Sequence, residues 1–360
     1  MTTREIAEAL ANAARGFPLL GEISARDLLN VAKLELGHEE ILDGFQSYAG
    51  HQAMARGPEA ILHVMSGNTP HAGLQSLIRG LLLKAHNYCK IPSGGLDEIA
   101  RFREALPAGL KARVDISTAL DPAWMEQSQA VIVFGDDATI GHFRRQVRPE
   151  QVFIGHGHKL SLGIVFEDPG YESVPHAARD ASLHDQQGCL SPHVFYIAEN
   201  GPFNAREYAS RLAGEMETFN HRAPRSKITA QESASLTAIR NEYEFLSANG
   251  GDARVWKSAG GTDWTVVFSA EAKFTPSPLN RVIFVKPLPR DLAAALSDAR
   301  PWLSTIAIWP ATPENAARAA GLGASRICRV GSMQDPPFSW HQDGGQNLAP
   351  LVRWIDFDPT

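Results

Sequence analysis

Short apolar runs take turns with amphipathic stretches along most of the chain, and this alternation limits the fold more than any other feature. Strands are predicted at Ile61–Met65, Cys89–Ile91, Ala130–Phe134, Val152–Ile154 and Leu162–Val165, with helices over 73–88, 97–105 and 138–147 between them. The pattern continues with a helix before Cys189, a strand at His193–Ile197, helices over 203–218 and 230–247, and strands over 254–257, 264–269, 282–285 and 304–309. Further helices are expected over 290–298 and 313–320, and two more at the start, over 3–15 and 24–36. A helix between two strands packs on a sheet face and leaves the strands parallel, so the chain reads as α/β. Its 360 residues exceed what one core usually sustains, which predicts two domains. No internal repeat interrupts the pattern. The last thirty residues, rich in Gly, Pro and Asp, read as a tail.

Charge and cysteine content remove several classes of function. With 34 Lys and Arg against 40 Asp and Glu the chain carries −6, so no overall positive field exists to hold a nucleic acid. Local clusters at Arg144-Arg145 and from Arg222 to Lys227 read as solvated helix ends or loops. Cys89, Cys189 and Cys328 are too few and too far apart for a disulfide framework or a structural zinc site, which suits reduced thiols in a cytoplasm. The N-terminus opens with a capping box at Thr2 and Glu5 and lacks the basic-then-apolar order of an export signal. The longest apolar runs, at Ala130–Phe134 and Ser304–Trp309, fall far short of the roughly 20 residues of a membrane helix and read as buried strands.

Four stretches carry chemistry. Ser66-Gly67-Asn68-Thr69-Pro70 follows a strand and opens a helix, the place where α/β sheets bind ligands. An Asn amide there is able to donate to an oxyanion, although in this run it also makes ordinary turn chemistry. Lys84 to Gly95 brings Lys90 and Ser93 to a strand end before two glycines, a loop suited to ribose or phosphate or simply to a surface turn. Phe134-Gly135-Asp136-Asp137-Ala138-Thr139 ends a strand and starts a helix whose amides face a phosphate position, without being a GxGxxG fingerprint. Asp185-Gln186-Gln187-Gly188-Cys189-Leu190-Ser191-Pro192 holds a thiol in a tight polar turn, where a thiolate is a strong nucleophile toward carbonyl carbon. Cys89 and Cys328 lie in strand-like runs and read as core packing.

In this order the stretches resemble the acyl-CoA reductase family typified by the bacterial luminescence fatty-acid reductase, a branch of the aldehyde dehydrogenase superfamily. The resemblance spans roughly 60–200 and is anchored by SGNTP with the later KIPS, by FIGHGHKLSLGIV at Phe153–Val165, by DQQGCLSPH, and by NLAPLVRWIDF at Asn347–Phe357. It implies an aldehyde-dehydrogenase-like α/β fold: a Rossmann-type nucleotide-binding domain over 1–157, a second α/β catalytic domain over 158–330, and a tail over 331–360 that returns toward the cofactor domain.

Carried over by position, the resemblance makes Cys189 the nucleophile, with Asn68 and the Cys189 backbone amide as the oxyanion hole. Lys90 falls where the superfamily holds the adenosine ribose, and Gly135 and Thr139 border the pyrophosphate position. Ser93 replaces the acid of NAD-preferring members, which favours NADPH over NADH. Gly155 stands where oxidising relatives carry the glutamate that activates water, so the implied reaction runs from acyl thioester, on CoA or acyl carrier protein, to aldehyde. His156, His158, His184 and His193 are the candidate proton donors and acceptors. A metal site from His156, His158 and Cys189 is not needed by this chemistry. Because Asn68 comes early, no particular assembly or synthetase partner is carried over, and a homodimer is only the default. Competing readings are an acyl-phosphate reductase of the glutamyl phosphate type, a non-redox Cys acyltransferase or thioesterase, and a scaffold that binds acyl carrier without turnover.

Overall fold

The capping box at the start of the chain is formed: Glu5 N donates to the Thr2 hydroxyl at 3.2 Å and Thr2 N donates to the Glu5 carboxylate at 2.8 Å. It opens α1 (Thr3–Ala14), and Ser24 with Asp27 caps α2 (Ala25–Leu36) in the same way. The computed structural model describes residues 1–67, 70–199 and 204–358, so Asn68 lies outside the described residues. The chain divides into two compact units, Met1–His158 with Pro337–Thr360, and Lys159–Pro336.

The first unit continues with β1 (Gln46–Tyr48), β2 (His51–Arg56), β3 (Ala60–Val64), α3 (Pro70–Leu82), β4 (His86–Lys90), α4 (Asp97–Ala105) and α5 (Ala108–Lys111). Then come β5 (Val114–Ser117), α6 (Pro122–Gln127), β6 (Ala130–Phe134), α7 (Asp137–Arg144) and β7 (Val152–His156). Five of these strands form a parallel sheet in the order β5-β4-β3-β6-β7. Every residue of β3 and β6 is buried, as expected of central strands covered on both faces. The strand order reverses between β3 and β6, and ligands in such sheets bind outside the carboxyl ends at that point.

The helix expected over 73–88 stops at Leu82, and the strand expected at Cys89–Ile91 begins earlier, at His86. Lys84 takes a left-handed backbone, φ +65°, and Ala85 N donates to Gly80 O, which closes the helix. The apolar run up to Leu83 hides this stop from the sequence. Strands β1, β2 and β5 were not expected: they are short, and few of their residues are buried.

The second unit holds β8 (Leu160–Val165), α8 (Val174–Ser182), β9 (Pro192–Ile197), α9 (Ala205–Arg222), α10 (Ala230–Ala248), β10 (Ala253–Lys257) and β11 (Thr265–Ser269). It ends with β12 (Val282–Pro287), α11 (Leu292–Ala295), β13 (Leu303–Trp309), α12 (Pro313–Ala320) and β14 (Arg326–Arg329). Its sheet runs β10-β11-β12-β9-β8-β13-β14, with β10 antiparallel at one edge and β9 buried along its whole length in the centre. Separate apolar clusters fill its two faces. The helix expected over 290–298 is reduced to the four residues of α11, capped by Asp291 and followed by turns up to Ala299 and the short 3-10 helix Arg300–Trp302. The final segment contains a strand, β15 (Arg353–Phe357), which pairs antiparallel with β2 in the first unit.

Candidate active site

The three cysteines stand in different surroundings. Cys89 is sealed in the core on β4, and burial pushes its thiol far up. Cys328, half-buried on β14, is held at about 12, mainly by burial. Cys189 alone among them is exposed, in the turn that leads into central strand β9. Its place is the amino edge of the second unit's sheet, not the carboxyl edge where α/β sheets usually bind ligands.

The backbone around Cys189 is clamped from both sides. His184, Asp185 and Gln186 have φ of 53°, 52° and 63°, and Leu279, Asn280 and Arg281 have 65°, 56° and 65°. For residues other than glycine such conformations cost about 1–3 kcal/mol each and persist only where contacts impose them. Those contacts join the two runs. The Arg281 guanidinium, 4% exposed as a side chain, pairs with Asp185 at 2.7 Å. Gln187 Nε2 donates to Asn280 Oδ1 at 2.8 Å. Gln186, fully buried, accepts from Val282 N at 2.8 Å and donates to the carbonyls of Val282 and Pro192, each at 2.7 Å.

After the clamp, Ser191 N donates to Gly188 O at 2.9 Å and closes a turn over Cys189 and Leu190. The Cys189 carbonyl accepts from the buried Ser161 hydroxyl at 2.7 Å, and that oxygen in turn accepts from Thr305 N at 3.2 Å. The cysteine backbone is thereby tied to β8 while its side chain faces solvent. Sequence reasoning named Cys189 but missed Ser161, Asn280 and Arg281. Ser161 lies inside a motif that was quoted, whereas the other two sit about ninety residues away with no local signal.

The candidate histidines differ in engagement. His193 is buried, and its Nδ1 accepts from Ser277 N at 2.9 Å. His184 is half-buried, and burial followed by the charge of Arg179 holds it below the usual imidazole range, toward the neutral form. His156 pairs with Asp343 at 2.7 Å and stacks on Phe134, while His158 is exposed.

In the first unit the sheet's carboxyl edge gathers the other candidates. Lys90 ends β4, half-buried and, among the described residues, without an ion pair; Ser93 is exposed three residues on. Met65 N donates to Lys90 O at 2.9 Å, and a Cβ on Gly67 would lie 3.4 Å from Pro92, so the loops after β3 and β4 touch. Gly135 is required by close packing, because a Cβ there would lie 2.9 Å from Thr139 Cβ. Asp136 caps α7 by accepting from Thr139 N at 2.8 Å, which holds its carboxyl below the usual range. Two carboxylates, Asp136 and Asp137, therefore flank the helix start. At Gly155 a Cβ would meet Phe153 at 3.0 Å and Ile140 at 3.1 Å, leaving little room for a longer side chain.

Among the described residues no group of three or more His, Cys, Asp or Glu is placed to hold a metal, and no helix is long and apolar enough to cross a membrane.

Comparison with known proteins gives consistent matches. The family model for acyl-CoA reductase (LuxC) matches residues 7–354. The chain is 23% identical over 351 residues to the long-chain acyl-protein thioester reductase of Aliivibrio fischeri, covering 92% of this chain and 70% of that protein. The Photorhabdus luminescens protein of the same name is also 23% identical, over 353 residues, with the same coverage. Among solved structures, an NAD-dependent benzaldehyde dehydrogenase from Corynebacterium glutamicum matches with a TM-score of 0.64 at 14% identity, covering 99% of this chain and 86% of that one. An aldehyde dehydrogenase from Brucella melitensis biovar abortus 2308 matches with a TM-score of 0.68 at 11% identity, covering 99% and 85%. The fold is therefore that of the aldehyde dehydrogenases.

Proposed function

The chain belongs to the acyl-CoA reductase family, and on that premise we propose that it reduces an acyl thioester to the aldehyde with NADPH, through a thioester to Cys189. The observation that carries this reading is an exposed thiol on a backbone fixed by Ser161 on one side and by the Gln186 clamp on the other. Such a thiol is accessible to a large carrier-bound substrate yet held in one orientation, which lowers the entropy cost of attack. The names of the relatives make a long acyl chain on a protein carrier the first substrate to test, with acyl-CoA beside it.

In this reading the Cys189 thiolate attacks the thioester carbonyl, and the carrier leaves as a thiol after taking a proton. The resulting carbonyl, now bonded to Cys189, has its oxygen stabilised by the Cys189 backbone amide. A nicotinamide cofactor supplies the hydride that this carbonyl carbon accepts. Breakage of the C–S bond then releases aldehyde and restores the thiolate. Gly155 offers no carboxylate to activate water, so the acyl group waits for reduction instead of being hydrolysed.

Lys90, a cation without an ion pair among the described residues, and the exposed Ser93 suit a ribose that carries a 2′-phosphate. Gly135 and Thr139 border the pyrophosphate position. There the fit is less complete, since Asp136 already takes the Thr139 amide and two carboxylates face the same region. The test is NADPH consumption with a panel of acyl thioesters, comparing wild type with Cys189→Ala and assaying the aldehyde. Thioester-dependent consumption that vanishes in the variant supports the proposal; thioester cleavage without NADPH consumption overturns it in favour of a non-redox transferase.

A further inference from the structure

Within the first unit a cavity of about 260 Å³ lies against the sheet, closed over by residues from the returning C-terminal segment. Part of its wall is apolar, from Ile132, Phe134 and Ile154 of β6 and β7 and from Leu351. Arg79, on the last turn of α3, also lines it and is 5% exposed.

A buried guanidinium is normally paired, because taking its charge out of water is costly. Arg79 makes no ion pair among the described residues. It has five N–H donors, yet among the described residues its hydrogen bonds are two long ones, to Gln342 Oε1 and to Phe338 O, each 3.3 Å, its Nε has no hydrogen-bond partner, and the guanidinium lies over the Phe338 ring at 5.1 Å. The nearby carboxylates are engaged elsewhere. Asp343, in the same cavity wall, is held by His156 Nδ1 at 2.7 Å. Glu35 accepts from Leu348 N, from Ala349 N and from Asn347 Nδ2, and acts on Arg79 only at a distance. Burial lowers the Arg79 pKa to about 10, so the side chain is still charged near neutrality.

We propose that this cavity binds a short aliphatic carboxylate, its charged end paired with Arg79 and its chain lying on the apolar wall. At about 30 Å³ per non-hydrogen atom, the share a water molecule takes in the liquid, the volume suits at most about nine such atoms. Apolar walls with one convergent charged group are the usual makeup of a small-ligand pocket. The proposal does not depend on thioester chemistry.

The probe is sodium hexanoate, titrated calorimetrically into the whole chain without cofactor or thioester, against the neutral analogue hexanamide. Wild type should bind hexanoate at least about tenfold more tightly than hexanamide, and Arg79→Met should bind the two alike. The same preference should persist in Cys189→Ala, which separates this site from the proposed chemistry. Equal binding of both probes to wild type, no binding of hexanoate at millimolar concentration, or a preference retained in folded Arg79→Met would overturn the assignment. The hexanamide comparison needs no variant, so the proposal is tested even if Arg79→Met fails to fold.

Discussion

Asp185 has φ +52° and pairs with an almost fully buried arginine four residues before Cys189. Asn tolerates the left-handed region about as well as Asp, so Asp185→Asn leaves the backbone preference alone, removes the charge facing Arg281 and replaces one of the two acceptor oxygens, which serve Arg281 and Ser226 N, by a donor. Burial pulls the Arg281 pKa down while Asp185 pushes it up, which shows the two effects that the pair balances. The variant should lose about 3 kcal/mol in urea denaturation, the scale expected when one partner of a buried pair is removed. Thioester turnover should fall with it while NADPH affinity stays as in wild type; turnover equal to wild type would show that the clamp does not position the thiol. At Ser93 the expectation concerns specificity. Ser93→Glu adds a carboxylate that repels a 2′-phosphate and accepts from a free 2′-hydroxyl, so the ratio of kcat/KM values should move toward NADH. An unchanged ratio would count against the proposed ribose site at Lys90 and Ser93.

Strand β3 and helix α3 meet through a buried polar chain. His63 Nε2 lies 2.9 Å from Asn87 Oδ1, which can only accept, so the ring proton sits on Nε2 and Nδ1 accepts from the Ser76 hydroxyl at 2.8 Å. Burial lowers the His63 pKa from 6.5 to about 4, keeping the ring neutral. The unfolded ring takes up a proton as pH falls below about 6.5, and the folded ring does so only near 4, so the stability from this group is complete above 6.5 and is lost as pH falls through that window. The total is about 3 kcal/mol at about 1.4 kcal/mol per pH unit. Urea midpoints at pH 7 and pH 5 should differ more in wild type than in His63→Gln; equal differences would contradict a neutral, buried ring. The same elements show what the sequence could reveal. Strands β3, β6, β9 and β13 were legible as apolar runs, and α4 and α12 kept their expected limits. The end of α3 was not, because Leu81, Leu82 and Leu83 continue the apolar pattern past the turn at Lys84. Cys189 and its turn were likewise legible, whereas Ser161, Asn280 and Arg281 reach it through tertiary contacts that leave no local pattern.

At the scale of the whole molecule, the first unit is made from two distant stretches of chain. Strand β15 pairs with β2 from Arg353↔Arg56 to Phe357↔Gln52, and β2 pairs otherwise only with the three residues of β1 among the described residues. Without β15 a two-stranded hairpin remains, and such hairpins are marginal in water. A chain ending at Val352 should therefore be cut by trypsin at Arg56 faster than the full chain, and an unchanged rate would show that β15 does not hold this sheet. The second unit is continuous in sequence and carries at the edge of its central strand the thiol on which the proposed function rests. Intact mass spectrometry after mixing with an acyl thioester in the absence of NADPH tests that claim most directly. The account predicts a gain of one acyl group in wild type, none in Cys189→Ala, and discharge of the adduct as aldehyde when NADPH is added. An adduct that persists in Cys189→Ala, or a wild-type chain that gains no mass yet still reduces the thioester, would contradict it.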